Sequence, residues 1–180
     1  MAATDPADAV VSDQIEVPIE VRPAHPDELE TAGAVVLRAY AADGLATARY
    51  RATLLDARSR AIDAEVVVAL DARVVVGSVT FALHGSRWAQ RTGPGEAEFR
   101  MLGVDPAHHG RGVGTRLATW CIERARTAGA RTLVISSDVR MAAAHRLYQR
   151  LGFVRRPDLD WVPEPGVSLL GFSLDLSAHG

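Results

Sequence analysis

Hydrophobic positions along the chain switch between a period of two and a period near three and a half. Ile15, Val17, Ile19 and Val21 alternate with Glu16, Pro18, Glu20 and Arg22, which predicts a half-buried strand placed by Pro18 at an edge or a bulge. Pro26-Asp27-Glu28 opens a helix with acids in its first turn. Leu29, Val36 and Tyr40 share one face of it until Asp43-Gly44 breaks the pattern. A second helical stretch runs from about Thr47 to Ile62 on Tyr50, Leu54, Ala57 and Ala61. Two β-branched runs follow, Glu65 to Leu70 and Val74 to Leu83, joined by the turn Asp71-Ala72-Arg73. His84 to Gly95 is rich in Gly, Arg, Trp and Pro and reads as a long loop of the kind that often binds ligands.

The next stretch organises the rest. From Glu96 the chain alternates, with Phe99, Met101 and Gly103 on one face and Glu98, Arg100 and Leu102 on the other, until Asp105-Pro106 ends the strand. Gly110-Arg111-Gly112-Val113-Gly114 then leads into a helix striped by Val113, Leu117, Trp120 and Ala128, which stops at Gly129. Leu133, Val134 and Ile135 mark a short buried strand within Arg131–Ser137. Met141, Ala144, Leu147, Tyr148 and Leu151 recur at helical spacing up to Gly152. Phe153-Val154 starts another strand, Pro157–Gly166 reads as a proline-rich loop, and Ser168–Leu176 is the last strand. The pattern predicts one mixed α/β domain over residues 15–180 behind a loose N-terminal tail, residues 1–14.

Composition narrows the partners. The 180 residues are 48% hydrophobic and 23% charged with a net charge of −2, so the balance points to neither nucleic acid nor a membrane surface. All 20 basic residues are Arg, so the protein has no lysine of its own to modify. The single cysteine, Cys121, excludes an intrachain disulfide and falls on the apolar face of its helix. No run reaches the roughly 18–20 apolar residues of a membrane span, and Asp5 and Asp8 do not suit a secretory signal, so a cytoplasmic protein is expected.

A glycine turn between a strand and a helix can gather backbone N–H groups around an anion, with Arg111 and Arg116 adding charge. A plain glycine-rich turn accounts for the same letters equally well. The dinucleotide fingerprint fits worse, because no acidic residue ends a second strand about 20 residues on. Adjacent His108 and His109 lack a carboxylate cluster to complete a metal site, so no metal is expected.

Read together, Val104-Asp105-Pro106, His109-Gly110-Arg111-Gly112-Val113-Gly114 and the segment from Ala144 through Leu147-Tyr148 to Gly152-Phe153 resemble the GNAT superfamily of acetyl-coenzyme-A-dependent N-acyltransferases. The resemblance runs from about Ile15 to Leu176. It departs at His109, where the family usually has Gln or Arg, and at Met141, where Asn is frequent. It implies a central, mostly antiparallel, twisted sheet of about six to seven strands, flanked by about four helices and splayed at the cofactor. It places acetyl-CoA on this chain, with the pantetheine arm along Leu102, Gly103 and Val104 and the pyrophosphate at His109, Gly110, Arg111, Gly112, Val113, Gly114 and Thr115.

The implied reaction is direct transfer of the acetyl group to a primary amine, releasing coenzyme A. An amine with a lysine-like pKa of ~10.4 is only about one part in a thousand neutral near pH 7, so a base is useful. Glu98 is the candidate base, its plainer reading being a strand carboxylate paired with Arg100. Tyr148 is the candidate acid for the departing sulfur, its plainer reading being a core tyrosine. Tyr40, Arg49, Tyr50, Trp88, Arg91 and Trp161 are candidates to line the acceptor side. The alternative function is a non-catalytic acyl-CoA-binding regulatory module of the same fold. A homodimer is common in similar proteins; the acceptor, a small molecule or a peptide or protein amine, stays open.

Overall fold

A computed structural model describes residues 18–177. The expected tail, residues 1–14, and the first part of the first expected strand lie outside the described residues. The elements run β1 (Glu20–Pro23), α1 (Leu29–Ala42), α2 (Ala48–Leu55), α3 (Ala57–Arg60), β2 (Glu65–Asp71), β3 (Val74–Leu83), β4 (Glu96–Val104), α4 (Val113–Thr127), β5 (Thr132–Asp138), α5 (Ala142–Arg150), β6 (Val154–Arg155), β7 (Trp161–Glu164) and β8 (Val167–Asp175). They form one sheet in the order β1-β2-β3-β4-β5-β8-β6, with β7 also on β8. Among the described residues only β4 and β5 pair in parallel.

The sheet has helices on both faces. The apolar stripes of α4 and α5 (Val113, Leu117, Cys121, Ala125, Leu147 and Tyr148) join Val67, Phe81, Phe99, Leu133 and Phe172 in the main core. On the opposite face α1 and α3 cover Val66, Val68 and Leu70 through Leu29, Ala32 and Ala57. Gly33 lets α1 close onto α2, because a Cβ there would lie 2.1 Å from the Leu55 carbonyl oxygen.

Two elements beyond the sequence-based expectation appear. The helix expected over Thr47–Ile62 is two helices, because Asp56 leaves helical geometry at ψ 66° and its carboxylate caps α3 by accepting from the Ser59 N–H at 3.0 Å. The proline-rich loop contains β7, joined to β8 by Pro165-Gly166, with Gly166 at φ 84° and Glu164 facing Val167 across the turn.

The expected alternation of β4 holds only for its first half. Register passes from Thr80↔Arg100 to Ser78↔Gly103, so Met101 and Leu102 together oppose Val79. Met101 sits at φ 53°, the left-handed conformation of a β-bulge. Before it, Ala97 and Phe99 face α4. Met101 instead joins Val36 and Leu54 under α1, and Leu102 turns to the α4 core. Met101 and Gly103 therefore share a face with Arg100, not with Phe99. The cause is one extra residue, which shifts a period-two pattern by half a period.

Candidate active site

The sheet opens between its two parallel strands. β4 and β5 pair at Glu96↔Thr132, Ala97↔Leu133 and Glu98↔Val134 and no further, so from Phe99 onward β4 presents an unpaired edge toward β5. Two cavities meet at this opening, one of about 480 Å³ and one of about 350 Å³, and Tyr40 and Met141 line both.

The larger cavity brings together most of the residues expected to hold a cofactor. Leu102, Gly103, Val104, His109, Gly110, Gly112, Val113, Gly114, Thr115 and Tyr148 all line it. Gly110 and Gly112 take φ 77° and 76°, and a Cβ at either would meet nothing within 4 Å. Backbone conformation, not crowding, requires glycine there. Among the described residues, the amides of Gly110 to Thr115 donate to no backbone acceptor. They sit at the N-terminus of α4, where the helix dipole favours an anion.

Two side chains of this turn are committed elsewhere. Arg111 pairs with Asp71 of the β2–β3 hairpin and is absent from the cavity wall. The His109 ring donates from Nε2 to the Val104 carbonyl at 3.2 Å. Gly103 is demanded by packing, since a Cβ would come within 3.0 Å of the Val36 Cα in α1.

Tyr148 is held by an aromatic cluster. Its ring centroid lies 5.9 Å from those of Phe99 and Phe153 and 6.0 Å from Phe172. Burial raises its phenol well above the usual value, and the hydroxyl takes no protein hydrogen bond among the described residues. Cys121 is fully buried, and burial pushes its thiol up, so it packs and does not react.

The smaller cavity is lined by Tyr40, Arg49, Tyr50, Trp88 and Trp161, all expected from the sequence. Arg91 stands behind them, its guanidinium 5.7 Å from the Trp161 ring centre. Arg100, Ser136, Asp138, Met141 and Glu164 also line it and were not singled out for this wall. Ser136 and Asp138 lie on β5 beyond the point where its pairing with β4 ends. Asp138 is held low by Arg140, which grips both carboxylate oxygens at 2.8 and 2.9 Å.

Glu98 lines neither cavity. It is 1% exposed, and its Oε2 accepts from the Arg91 N–H at 3.0 Å. Burial raises its carboxyl above the usual range, opposed by Arg100, whose Nε is 3.8 Å from Oε1. Among the described residues no group of three or more His, Cys, Asp and Glu could hold a metal.

Residues 37–153 match the Acetyltransferase (GNAT) family. The chain is 34% identical over 83 residues to aminoalkylphosphonate N-acetyltransferase of Salmonella typhimurium, covering 44% of this chain and 49% of that one. It is 43% identical over 65 residues to the N-alpha-acetyltransferase RimI of Mycobacterium tuberculosis, covering 36% and 39%. The chain thus spans about half or less of the curated relatives it matches. The solved structure of yncA from Salmonella typhimurium, with its cofactor acetyl-CoA, superposes with a TM-score of 0.65 at 23% identity, covering 91% of this chain and 97% of that one. With the family match over most of its length and the splayed sheet behind it, this chain belongs to the GNAT acetyltransferase family.

Proposed function

We propose that the protein is an N-acetyltransferase that moves the acetyl group of acetyl-CoA directly to a primary amine. The observation that carries this is the meeting of two cavities at Tyr40 and Met141, one walled by free amides and Tyr148, the other by aromatic and charged side chains. Six unengaged N–H groups at a helix N-terminus and an open strand edge suit a ligand with a pyrophosphate and an amide-bearing arm. Bound there, acetyl-CoA supplies the acyl group as a thioester.

The protein's own part is positioning and proton transfer. The β4 edge orients the arm, and the amides of Gly110 to Thr115 hold the pyrophosphate. The Tyr148 hydroxyl, kept protonated by burial, gives its proton to the sulfur as it leaves. Glu98 takes the proton of the amine through a water, because it does not itself line the acceptor cavity, which its neighbour Arg100 does. Burial makes Glu98 a stronger base than an exposed carboxylate.

A second reading, a non-catalytic acyl-CoA-binding module, draws on the same burial of Glu98, which leaves the acceptor cavity without a freely facing base. One experiment separates them: binding of acetyl-CoA by calorimetry together with thiol release across a panel of primary amines. Binding with turnover supports the enzyme. Binding with no thiol release on any amine supports the module, and no binding at all removes both.

A further inference from the structure

The acceptor cavity carries more positive charge than its walls neutralise. Arg100 enters it from β4 with a side chain 13% exposed. Its nearest carboxylate, Glu98, stands 3.8 Å from Nε, outside hydrogen-bond range. Nη1 reaches the Trp88 carbonyl at 3.4 Å, and the guanidinium also lies against the Tyr50 hydroxyl. A guanidinium has five donors, so most of this one's capacity is unspent.

A second cation lies behind the same wall. Arg60 is fully buried and donates to the carbonyls of Thr53 and Leu54, while among the described residues its Nε and Nη2 have no partner. Both arginines lower the pKa of the neighbouring Tyr50 against the rise that burial imposes, so their field reaches the cavity. The acids on the wall offset them only in part. Asp138 is occupied by Arg140, and Glu164, which accepts the Thr47 hydroxyl at 2.7 Å and keeps its charge, is matched by Arg49 on the same wall. The indole N–H groups of Trp88 and Trp161 are also without partners among the described residues.

This is a donor-rich, aromatic, net positive wall, which complements an anion on a flat apolar body. At about 350 Å³ the cavity sits at the small end of the roughly 300–1,000 Å³ of ligand sites, the size of one small molecule. We propose that the acceptor is a small amine bearing an acidic group, a carboxylate or a phosphonate, on an aromatic or apolar body, and that Arg100 holds the acid. This rests on the N-acetyltransferase reading for the fate of the amine but not for the binding of the anion.

The test uses a matched set: phenylalanine, its phosphonate analogue, phenylalaninamide and phenethylamine. Binding is measured by calorimetry in the presence of coenzyme A, and turnover by thiol release. The acids should bind at least about tenfold more tightly than the amide and the plain amine, the scale of one charge-assisted hydrogen bond. Arg100→Gln should erase that preference by raising KM for the acids alone, and Arg100→Lys should restore part of it. The relative affinity of carboxylate and phosphonate identifies which acid the site prefers. Equal affinity across the set, binding of none, or an Arg100→Gln variant that weakens all four ligands alike would overturn the proposal. The comparison on the unaltered protein decides the matter even where Arg100→Gln fails to fold. Ordered binding with no turnover would sink the N-acetyltransferase reading and leave the anion site standing, whereas turnover of all four without preference would do the reverse.

Discussion

Replacing Tyr148 by Phe removes one oxygen from the wall of the cofactor cavity and leaves the ring among Phe99, Phe153 and Phe172. Those edge and tilted contacts, about 0.5–1.5 kcal/mol for each aromatic pair, survive the change. The hydroxyl has no protein hydrogen bond to lose among the described residues, so stability should stay within about 0.5 kcal/mol. Catalysis should respond differently. A general acid contributes about 10²- to 10⁴-fold, and a thiol with a pKa of ~8.5 is already a fair leaving group, so the low end applies. The expected loss in kcat is about 100-fold, or about 2.7 kcal/mol of barrier, with KM for acetyl-CoA unchanged. Thiol release at saturating amine measures the rate, and thermal denaturation checks the fold. The burial-raised phenol also predicts no alkaline loss of wild-type activity below about pH 10 from this group. A kcat within twofold of wild type would refute the acid role. A fallen melting temperature with a raised KM would assign Tyr148 to packing instead.

Three further outcomes follow from the same geometry. Glu98→Gln should abolish the acidic limb of the kcat/KM profile and lower the rate about 100-fold or more; a limb that persists would exclude Glu98. A carboxyl raised on folding favours the folded state at low pH and costs stability as pH climbs through its folded value, so the same variant should gain in relative stability between acid and neutral pH in denaturant titrations. Gly112→Ala places a methyl-bearing residue at φ 76° where nothing crowds it, so strain alone should cost about 1–2 kcal/mol. Calorimetry should also show weaker acetyl-CoA binding, and an unchanged affinity would detach this turn from the cofactor. Glu28 accepts from Arg22 at 2.7 and 2.8 Å and from the His25 N–H at 2.7 Å, which lowers its carboxyl from 4.5 to about 2. Its stabilisation is present above the ordinary value and is lost as pH falls toward about 2. Screening at this surface edge trims it to about 1–2 kcal/mol, and Glu28→Gln should flatten that part of the pH–stability curve.

The cofactor half of the site was readable in the sequence because its chemistry is local. A strand, a glycine turn and a helix start are consecutive in the chain, and the turn binds through backbone whose freedom glycine announces. The acceptor half was readable only in part: Tyr40, Arg49, Tyr50, Trp88 and Trp161 stood out, but Arg100, Ser136, Asp138, Met141 and Glu164 did not, because the wall is assembled from the ends of β5 and β7, the long loop and α2. The pairing of Arg111 with Asp71 spans 40 positions and leaves no spacing signal in either segment. The split at Asp56 turns on one residue that both ends α2 and caps α3. The bulge was hidden for a different reason: methionine is an unusual occupant of a left-handed site, so no Gly or Asn marked it.

That bulge works like a frameshift in a two-letter alphabet. Upstream of it, Arg100 is aimed into the acceptor cavity; downstream, Leu102 and Val104 line the cofactor cavity on the other side of the strand. One strand is thereby read in two frames, and Met101 is the point where the frame changes. Deleting that single residue would leave Leu102 on the α4 side and Gly103 against α1 in a regular ladder, whereas straightening the bulge with Met101 retained would send Leu102 against α1 and the glycine position toward α4. Among the positions on the α1 face, Arg100 serves the acceptor cavity, while Leu102 and Val104 on the other face serve the cofactor cavity. Acceptor preference can thus drift at residue 100 while the cofactor grip at residues 102 and 104 stays unchanged.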